Sequence, residues 1–244
     1  YGLPLQTVKS FEATLDKVIE LKPDRLSIFN YAHLPERFKP QRRINAEELP
    51  SPAEKLAIME LTGNKLQQAG YVYIGMDHFA LETDSMVRAQ QQGTLQRNFQ
   101  GYSTHADTDL IGIGVSSIGS VCDSYSQNSG NMDQYREMIL AGKLPVVRGL
   151  RLTEEDLLRK EVINQLICHF HLDKTQIETQ WHIKFDEYFA AELEELEGMV
   201  KDGLLTIDED SIQVQDRGRL LIRNICMVFD AYLRDNVVQF SKVI

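Results

Sequence analysis

The residues best suited to chemistry lie in three short stretches. The longest, Arg97 to Ser120 (RNFQGYSTHADTDLIGIGVSSIGS), is the one around which the rest of the chain is organised. It joins a polar loop holding Asn98, Gln100, Gly101, Ser103, Thr104, His105, Asp107 and Asp109 to an apolar run broken by Gly112, Gly114 and Gly119. Glycine lets a backbone approach a ligand closely, so this composition suits the wall of a site. The competing reading is a tight turn that leads into a buried strand. A dinucleotide fingerprint is excluded, because the position three after Gly114 is Ser117. The other two stretches are Phe29 to Pro35 (FNYAHLP) and Met76 to Phe79 (MDHF), each with a histidine among aromatics.

His33, His78 and His105 with Asp77, Asp107 and Asp109 offer enough ligands for a metal, yet no H-x-x-x-H or H-E-x-x-H spacing joins them. The preferred reading is that they position a polar ligand or tie down loops. His169 and His171 flank Phe170 at a helix end and read as structural. Arg37, Lys39, Arg42 and Arg43 are the one concentrated basic segment. A guanidinium docks a carboxylate bidentately, which makes Arg42 and Arg43 candidate partners of an acidic substrate, against the alternative of a solvated loop. Tyr31, Phe79, Phe99 and Tyr102 can stack a planar ligand or pack the loops.

Elements must hold these residues in place. Val8, Phe11, Leu15, Val18 and Ile19 recur at helical spacing after a Thr7 cap, and Lys22-Pro23 ends that helix. Residues 24–30 read as a strand. Ser51-Pro52-Ala53-Glu54 starts a second helix, with Glu54 placed to return a hydrogen bond to the cap; Gly70 stops it before a strand over 71–76. Strands alternating with helices predict parallel βαβ units whose active face lies at the strands' C-terminal ends. A helix follows over 131–141, then a connector over 143–149. Beyond it come helices from Thr153, over 174–179 and over 185–201, a hairpin about Glu209-Asp210, and a last helix over 217–233. Three helices, a hairpin and a helix resemble a winged-helix arrangement. Glu192, Glu194, Glu195 and Glu197 on its third helix would repel a phosphate backbone, so a capping or lid unit is preferred to a DNA-binding regulator.

The 244 residues can bury a substantial core, and 43% hydrophobic with 25% charged residues is ordinary for a globular protein. A net charge of −10 argues against a general nucleic-acid partner. Cys122, Cys168 and Cys226 show no C-x-x-C spacing. With no long apolar run and no signal-peptide pattern, a cytoplasmic protein and no membrane partner are expected.

The strings YGLPLQT, LSIFNYAHLP, YIGMDHFA, RNFQGYSTHADTDLIGIGVSSIG and DRGRLLIRNICMVFDAYLR together resemble the oxygen-independent coproporphyrinogen III oxidases, radical S-adenosylmethionine enzymes of haem biosynthesis. The resemblance covers essentially the whole chain. It implies an α/β fold: the C-terminal part of an incomplete parallel β/α barrel over 1–145, with the loops of the S-adenosylmethionine and substrate sites, then a mainly helical, winged-helix-like lid over 146–244. It implies oxidative decarboxylation of two propionates of coproporphyrinogen III to vinyls, giving protoporphyrinogen IX. The cofactors implied are two S-adenosylmethionines and a [4Fe-4S] cluster, with a tetrapyrrole substrate, an electron donor and a monomeric parent. Phe29 and Ala32 would line the first S-adenosylmethionine. Phe99, Gln100 and Ile118 would belong to the region that holds a second one or the substrate.

The chain departs from that family in its missing cluster motif and in the missing upstream glycine-rich and acidic S-adenosylmethionine contacts. The cluster ligands come from a C-x-x-x-C-x-x-C motif that this chain does not contain, so no metal ligand is assigned to it. It looks like the C-terminal half of the enzyme, cut within the barrel and inactive alone. The alternative is a non-catalytic tetrapyrrole-binding or haem-trafficking module.

Overall fold

The structure is a computed structural model that describes residues 1–105 and 108–234. It forms two compact units, Tyr1–Gln92 with residues 231–234, and Gly93–Asp230.

The first unit begins with α1 (Val8–Leu21), whose Thr7 cap is reciprocal: Thr7 Oγ1 accepts the Ser10 N–H at 3.2 Å and Ser10 Oγ accepts the Thr7 N–H at 2.9 Å. Lys22 turns left-handed and Pro23 cannot continue the helix. β1 (Arg25–Ser27) follows, then a long loop with a 3-10 turn over Lys39–Arg43, and α2 (Pro52–Gln68). Ser51 caps α2 as expected, through Glu54 N–H to Ser51 Oγ at 3.2 Å. The return bond goes elsewhere: Glu54 Oε1 accepts the Val8 N–H at 2.8 Å. A carboxylate expected to close its own helix end thus stabilises an orphan donor of α1, and it ties the two helices together. Phe11, Leu15 and Ile58 form one buried cluster between these helices. Leu66, Tyr71 and Phe79 form another, packed on the strands.

β2 (Tyr71–Gly75) and β3 (His78–Leu81) come next, followed by α3 (Ser85–Gln91). The expected parallel βαβ ladder is not what these strands form. Met76-Asp77 is a two-residue turn, so β3 folds back antiparallel on β2 and inserts between β2 and β1, giving the order β1-β3-β2. β1 and β2 still run the same way, as the intervening helix requires, but their hydrogen bonds go to β3. One parallel pairing does occur beside the 28–36 loop. Tyr1 donates to the Phe29 carbonyl at 2.6 Å and accepts from the Tyr31 N–H at 2.7 Å, the slanted pattern of a parallel ladder.

The second unit opens with β4 (Gln96–Asn98) and β5 (Gly101–Ser103), a two-stranded hairpin. β6 (Ile118–Val121), β7 (Ser124–Asn128) and β8 (Val146–Arg151) form an antiparallel sheet with α4 (Met132–Leu140) between the last two. Residues 146–149, expected as part of a connector, are instead an edge strand paired with β7. An exposed strand that reads Val-Val-Arg-Gly-Leu-Arg carries no apolar periodicity to announce it.

α5 (Glu154–His169) starts at the predicted Thr153 cap, closed reciprocally by Asp156. β9 (His171–Asp173), α6 (Lys174–Trp181), α7 (Phe185–Tyr188), α8 (Ala190–Lys201), β10 (Leu205–Ile207) and β11 (Ser211–Val214) follow, and β10-β11-β9 make a small antiparallel sheet. The hairpin about Glu209-Asp210 is present. The single helix expected over 185–201 breaks at Phe189, which is fully buried against Phe185 and Phe229. The helix expected over 217–233 is divided into α9 (Asp216–Arg219), α10 (Ile222–Val228) and α11 (Ala231–Arg234).

An arginine caps the end of α10. Arg159 of α5 donates from Nη1 to the Phe229 carbonyl at 3.0 Å and to Glu192 Oε1 at 2.9 Å, while Nε reaches Glu155 at 2.9 Å. Glu192 is therefore a buried acid, not part of the repulsive surface that the sequence suggested. Burial works against the Arg159 charge, but the Glu192 and Glu155 carboxylates outweigh it and raise its pKa. Removing one member of such a pair leaves a buried charge without compensation. Arg159→Met should lower the unfolding free energy by about 3 kcal/mol, and adding Glu192→Leu should recover most of that. Denaturant titration checks it. A single-variant loss below about 1 kcal/mol would put the pair with exposed ion pairs.

Candidate functional site

The candidate residues fall in two groups, one in each unit. In the first unit, Ile28 N–H donates to the Asp77 carbonyl at 2.8 Å, so the 28–36 loop starts hard against the β2–β3 turn. Phe29 is 56% exposed and meets the His78 ring edge-on at 5.8 Å. His78 thus lies on β3 and shapes the surface beside Phe29, where the sequence suggested a strand-to-helix loop. Tyr31 Oη and His33 Nδ1 are 3.2 Å apart. Gln41 fixes the backbone around Ala32: Nε2 donates to the Ala32 carbonyl at 3.0 Å and Oε1 accepts the Leu34 N–H at 2.6 Å. An exposed aromatic face beside backbone pinned in this way offers an apolar wall and fixed hydrogen-bonding groups to a planar ligand. Arg42 and Arg43 close the 3-10 turn and are exposed; Arg42 Nε donates to the Pro35 carbonyl at 2.9 Å, which holds this basic segment against the loop.

In the second unit, Phe99 and Gln100 form the tip of the β4–β5 hairpin. Asn98 Oδ1 accepts the Gln100 N–H at 2.8 Å and shapes that tip. Phe99 is 53% exposed and packs edge-on against Tyr125 of β7 at 4.9 Å. Tyr125 pairs with Ser120 and Gln127 pairs with Ile118. Side chains two apart along a strand, and those directly opposite across a ladder, share a face. Ile118 therefore stands on the same face of the sheet as Tyr125, the residue on which Phe99 rests. The structure thus links Phe99 and Ile118 through one sheet face, with Gln100 exposed beside them.

The glycines of the opening stretch serve a different purpose from the one their composition suggested. Leu110 pairs antiparallel with Ser120, which lays residues 110–112 along β6. A Cβ on Gly112 would lie 2.9 Å from the Ile118 carbonyl carbon, and one on Gly119 would lie 2.9 Å from Ser126 Oγ. The close approach is within the chain, to the backbone of Ile118 at Gly112 and to Ser126 Oγ and the Leu110 carbonyl at Gly119. Asn128, a residue that the sequence did not single out, holds the loop from inside. Its Nδ2 lies 3.2 Å from the Gly112 carbonyl, 3.0 Å from that of Gly114 and 3.0 Å from Ser117 Oγ. A buried amide with several acceptors in reach rigidifies whatever it touches. Its only sequence signal is an asparagine that ends a polar strand.

Among the described residues no group of three or more His, Cys, Asp or Glu is placed to hold a metal ion; Asp107 lies outside the described residues. The cysteines do not suit an iron-sulfur cluster, which needs several thiolates on one face. Cys122 is exposed in the β6–β7 turn, while Cys168 and Cys226 are buried. Burial pushes the Cys168 thiol up to about 12 and raises that of Cys226 as well. Thiols held protonated in this way are core residues. None of the described helices is long and apolar enough to cross a membrane.

Comparison with known proteins adds to this geometry. The family described as "HemN C-terminal domain" matches residues 152–221. The chain is 54% identical to an oxygen-independent coproporphyrinogen III oxidase of Pseudomonas aeruginosa over its whole length, covering 53% of that relative. A relative of the same name from Thermostichus vulcanus is 48% identical and is covered over 76% of its length. This chain belongs to the oxygen-independent coproporphyrinogen III oxidases. The solved structure titled "Coproporphyrinogen III oxidase (HemN) from Escherichia coli is a Radical SAM enzyme" matches 96% of the chain with a TM-score of 0.93 at 52% identity. The chain covers 54% of that structure, so it spans about half the length of the Pseudomonas aeruginosa and Escherichia coli proteins and about three quarters of the Thermostichus vulcanus one. An α/β fold for this member of the oxidase family follows directly.

The thiol assignments make a direct expectation. In the folded chain iodoacetamide at neutral pH should label Cys122 alone, and in denaturant all three cysteines, as read by peptide mass spectrometry. Labelling of Cys168 at a rate near that of Cys122 would contradict its place in the core.

Proposed function

We propose that this chain is the half of a coproporphyrinogen III oxidase that presents reactant-facing loops, and that the whole protein converts two propionates of coproporphyrinogen III to vinyls, giving protoporphyrinogen IX. The observation that carries this reading is the rigid display of exposed aromatic and amide groups, Phe29 beside pinned backbone and Phe99-Gln100 at a braced tip, at the positions that the family resemblance assigns to S-adenosylmethionine and substrate. When bound and reduced by one electron, S-adenosylmethionine would supply, with release of methionine, the adenosyl radical that takes a hydrogen from the propionate side chain. The [4Fe-4S] cluster of the whole protein finds no ligands among these cysteines.

The residues of this chain do the positioning. Phe29 offers an apolar face to adenine, and the backbone at Ala32, fixed by Gln41, offers polar groups at a set distance. Gln100 supplies a donor and an acceptor from one planar amide, which orients a polar reactant group, while Phe99 and Ile118 supply an apolar wall. Arg42 and Arg43 pair with substrate carboxylates. Radical abstraction needs this care, since a misplacement of about 1 Å costs on the order of 100-fold. In this reading residues 1–145 carry loops of an incomplete β/α barrel that meet two S-adenosylmethionines and the tetrapyrrole. Residues 146–244, of which 235–244 lie outside the described residues, are assigned the role of a winged-helix-like lid. The whole protein works as a cytoplasmic monomer that receives electrons from a separate donor.

In the full-length enzyme carrying this chain, Gln100→Ala should lower anaerobic formation of protoporphyrinogen IX by about tenfold or more while the cluster spectrum of the same preparation stays intact. Unchanged turnover removes Gln100 from the site. A lost cluster signal would mean that it serves folding instead.

A further inference from the structure

We propose that Asn164 is a positioning residue for this reaction: through its carboxamide, α5 sets where the Phe99–Gln100 tip stands, and so acts on turnover without touching a reactant. The proposal rests on the reading that the tip faces the reactants.

A two-stranded hairpin of three residue pairs is at best marginal in water, so β4–β5 needs support from outside itself. Asn164 supplies it on β4. Its Oδ1 accepts the Arg97 N–H at 3.2 Å and the Cys168 thiol at 3.3 Å, and its Nδ2 donates to Gln96 Oε1. Two of these bonds reach consecutive residues of the strand that leads into the tip. Tyr102 on β5 is held by the same helix, its hydroxyl donating to the Ile167 carbonyl at 2.9 Å. The Arg97 guanidinium lies over the Tyr102 ring at 4.8 Å and joins the two strands. Lys160 places its ammonium over Tyr125, the ring that receives Phe99, at 5.3 Å.

Lys160, Asn164, Ile167 and Cys168 are spaced i, i+4, i+7 and i+8, so the contacts that α5 makes here come from one side of the helix. Asn164 is the member that bonds in both senses. An alanine there leaves a half-buried strand N–H and a Gln96 carbonyl without their partners, and the hairpin loses its fixed height on the helix.

The test is a double-mutant cycle in the full-length enzyme carrying this chain, with Asn164→Ala, Gln100→Ala and both together. Anaerobic turnover is measured beside hydrogen exchange of the peptide spanning residues 96–103. Asn164→Ala should speed exchange across the hairpin and lower turnover, each about tenfold. The double variant should fall no more than about twofold below Gln100→Ala alone, because an ill-placed tip that lacks its amide has little further to lose. Exchange unchanged in Asn164→Ala, or turnover losses that multiply in full, overturns the proposal. Full activity in Gln100→Ala is the failure of the underlying reading. Loss in Gln100→Ala with full activity in Asn164→Ala is the failure of this inference alone. If Asn164→Ala does not fold, Gln96→Ala removes one bond from the strand side and carries the same two readouts.

Discussion

A short hairpin carries Phe99 and Gln100, which we propose meet a reactant, yet three cross-strand pairs cannot fix it. The second unit resolves this by tying the hairpin to a long helix. α5 begins at a reciprocal cap, ends at a left-handed Phe170, and buries Leu158, Val162 and Leu166 in the core. A helix so fixed along its length is a rigid rail, and Asn164 and Ile167 are where the hairpin is fastened to it. Tyr125, braced by Lys160, links the rail to the sheet that carries Ile118. Precision at the tip therefore depends on the packing of α5, and through Arg159 on the buried carboxylate of α8 as well.

The first unit solves a similar problem differently. Its candidate residues lie on a loop of irregular backbone, where each polar group needs a partner. Gln41 closes one end of that loop, the Asp77 carbonyl holds its start, and Tyr1 pairs with its middle. Side chains and turns replace the missing ladder, so Phe29 can stay exposed while the backbone beneath it is fixed.

Much of this was legible in the sequence. The caps at Thr7, Ser51 and Thr153 and the hairpin about Glu209-Asp210 follow from local chemistry, and the structure has them. What local patterns cannot encode is the choice of a distant partner. Glu54 had the spacing of a capping box but bonds Val8, and Glu192 had the look of a solvated acid but is neutralised by Arg159. β3 was hidden because MDHF reads equally as a loop, and only pairing on both sides makes it a central strand. Asn128, Asn164 and Gln41 were invisible for the same reason. A single amide in a polar or helical stretch means nothing until the fold shows what it reaches. The family resemblance pointed to Phe29, Ala32, Phe99, Gln100 and Ile118, and the geometry shows what holds each of those stretches.

The central claim is that the hairpin tip held by α5 faces the reactants. The most direct measurement is a crystal structure of the full-length enzyme carrying this chain, grown anaerobically with S-adenosylmethionine and a tetracarboxylate tetrapyrrole. The account predicts one of these ligands within hydrogen-bonding distance of the Gln100 amide and in contact with Phe99 and Ile118. Both ligands bound elsewhere, with that tip in bulk solvent, would contradict it.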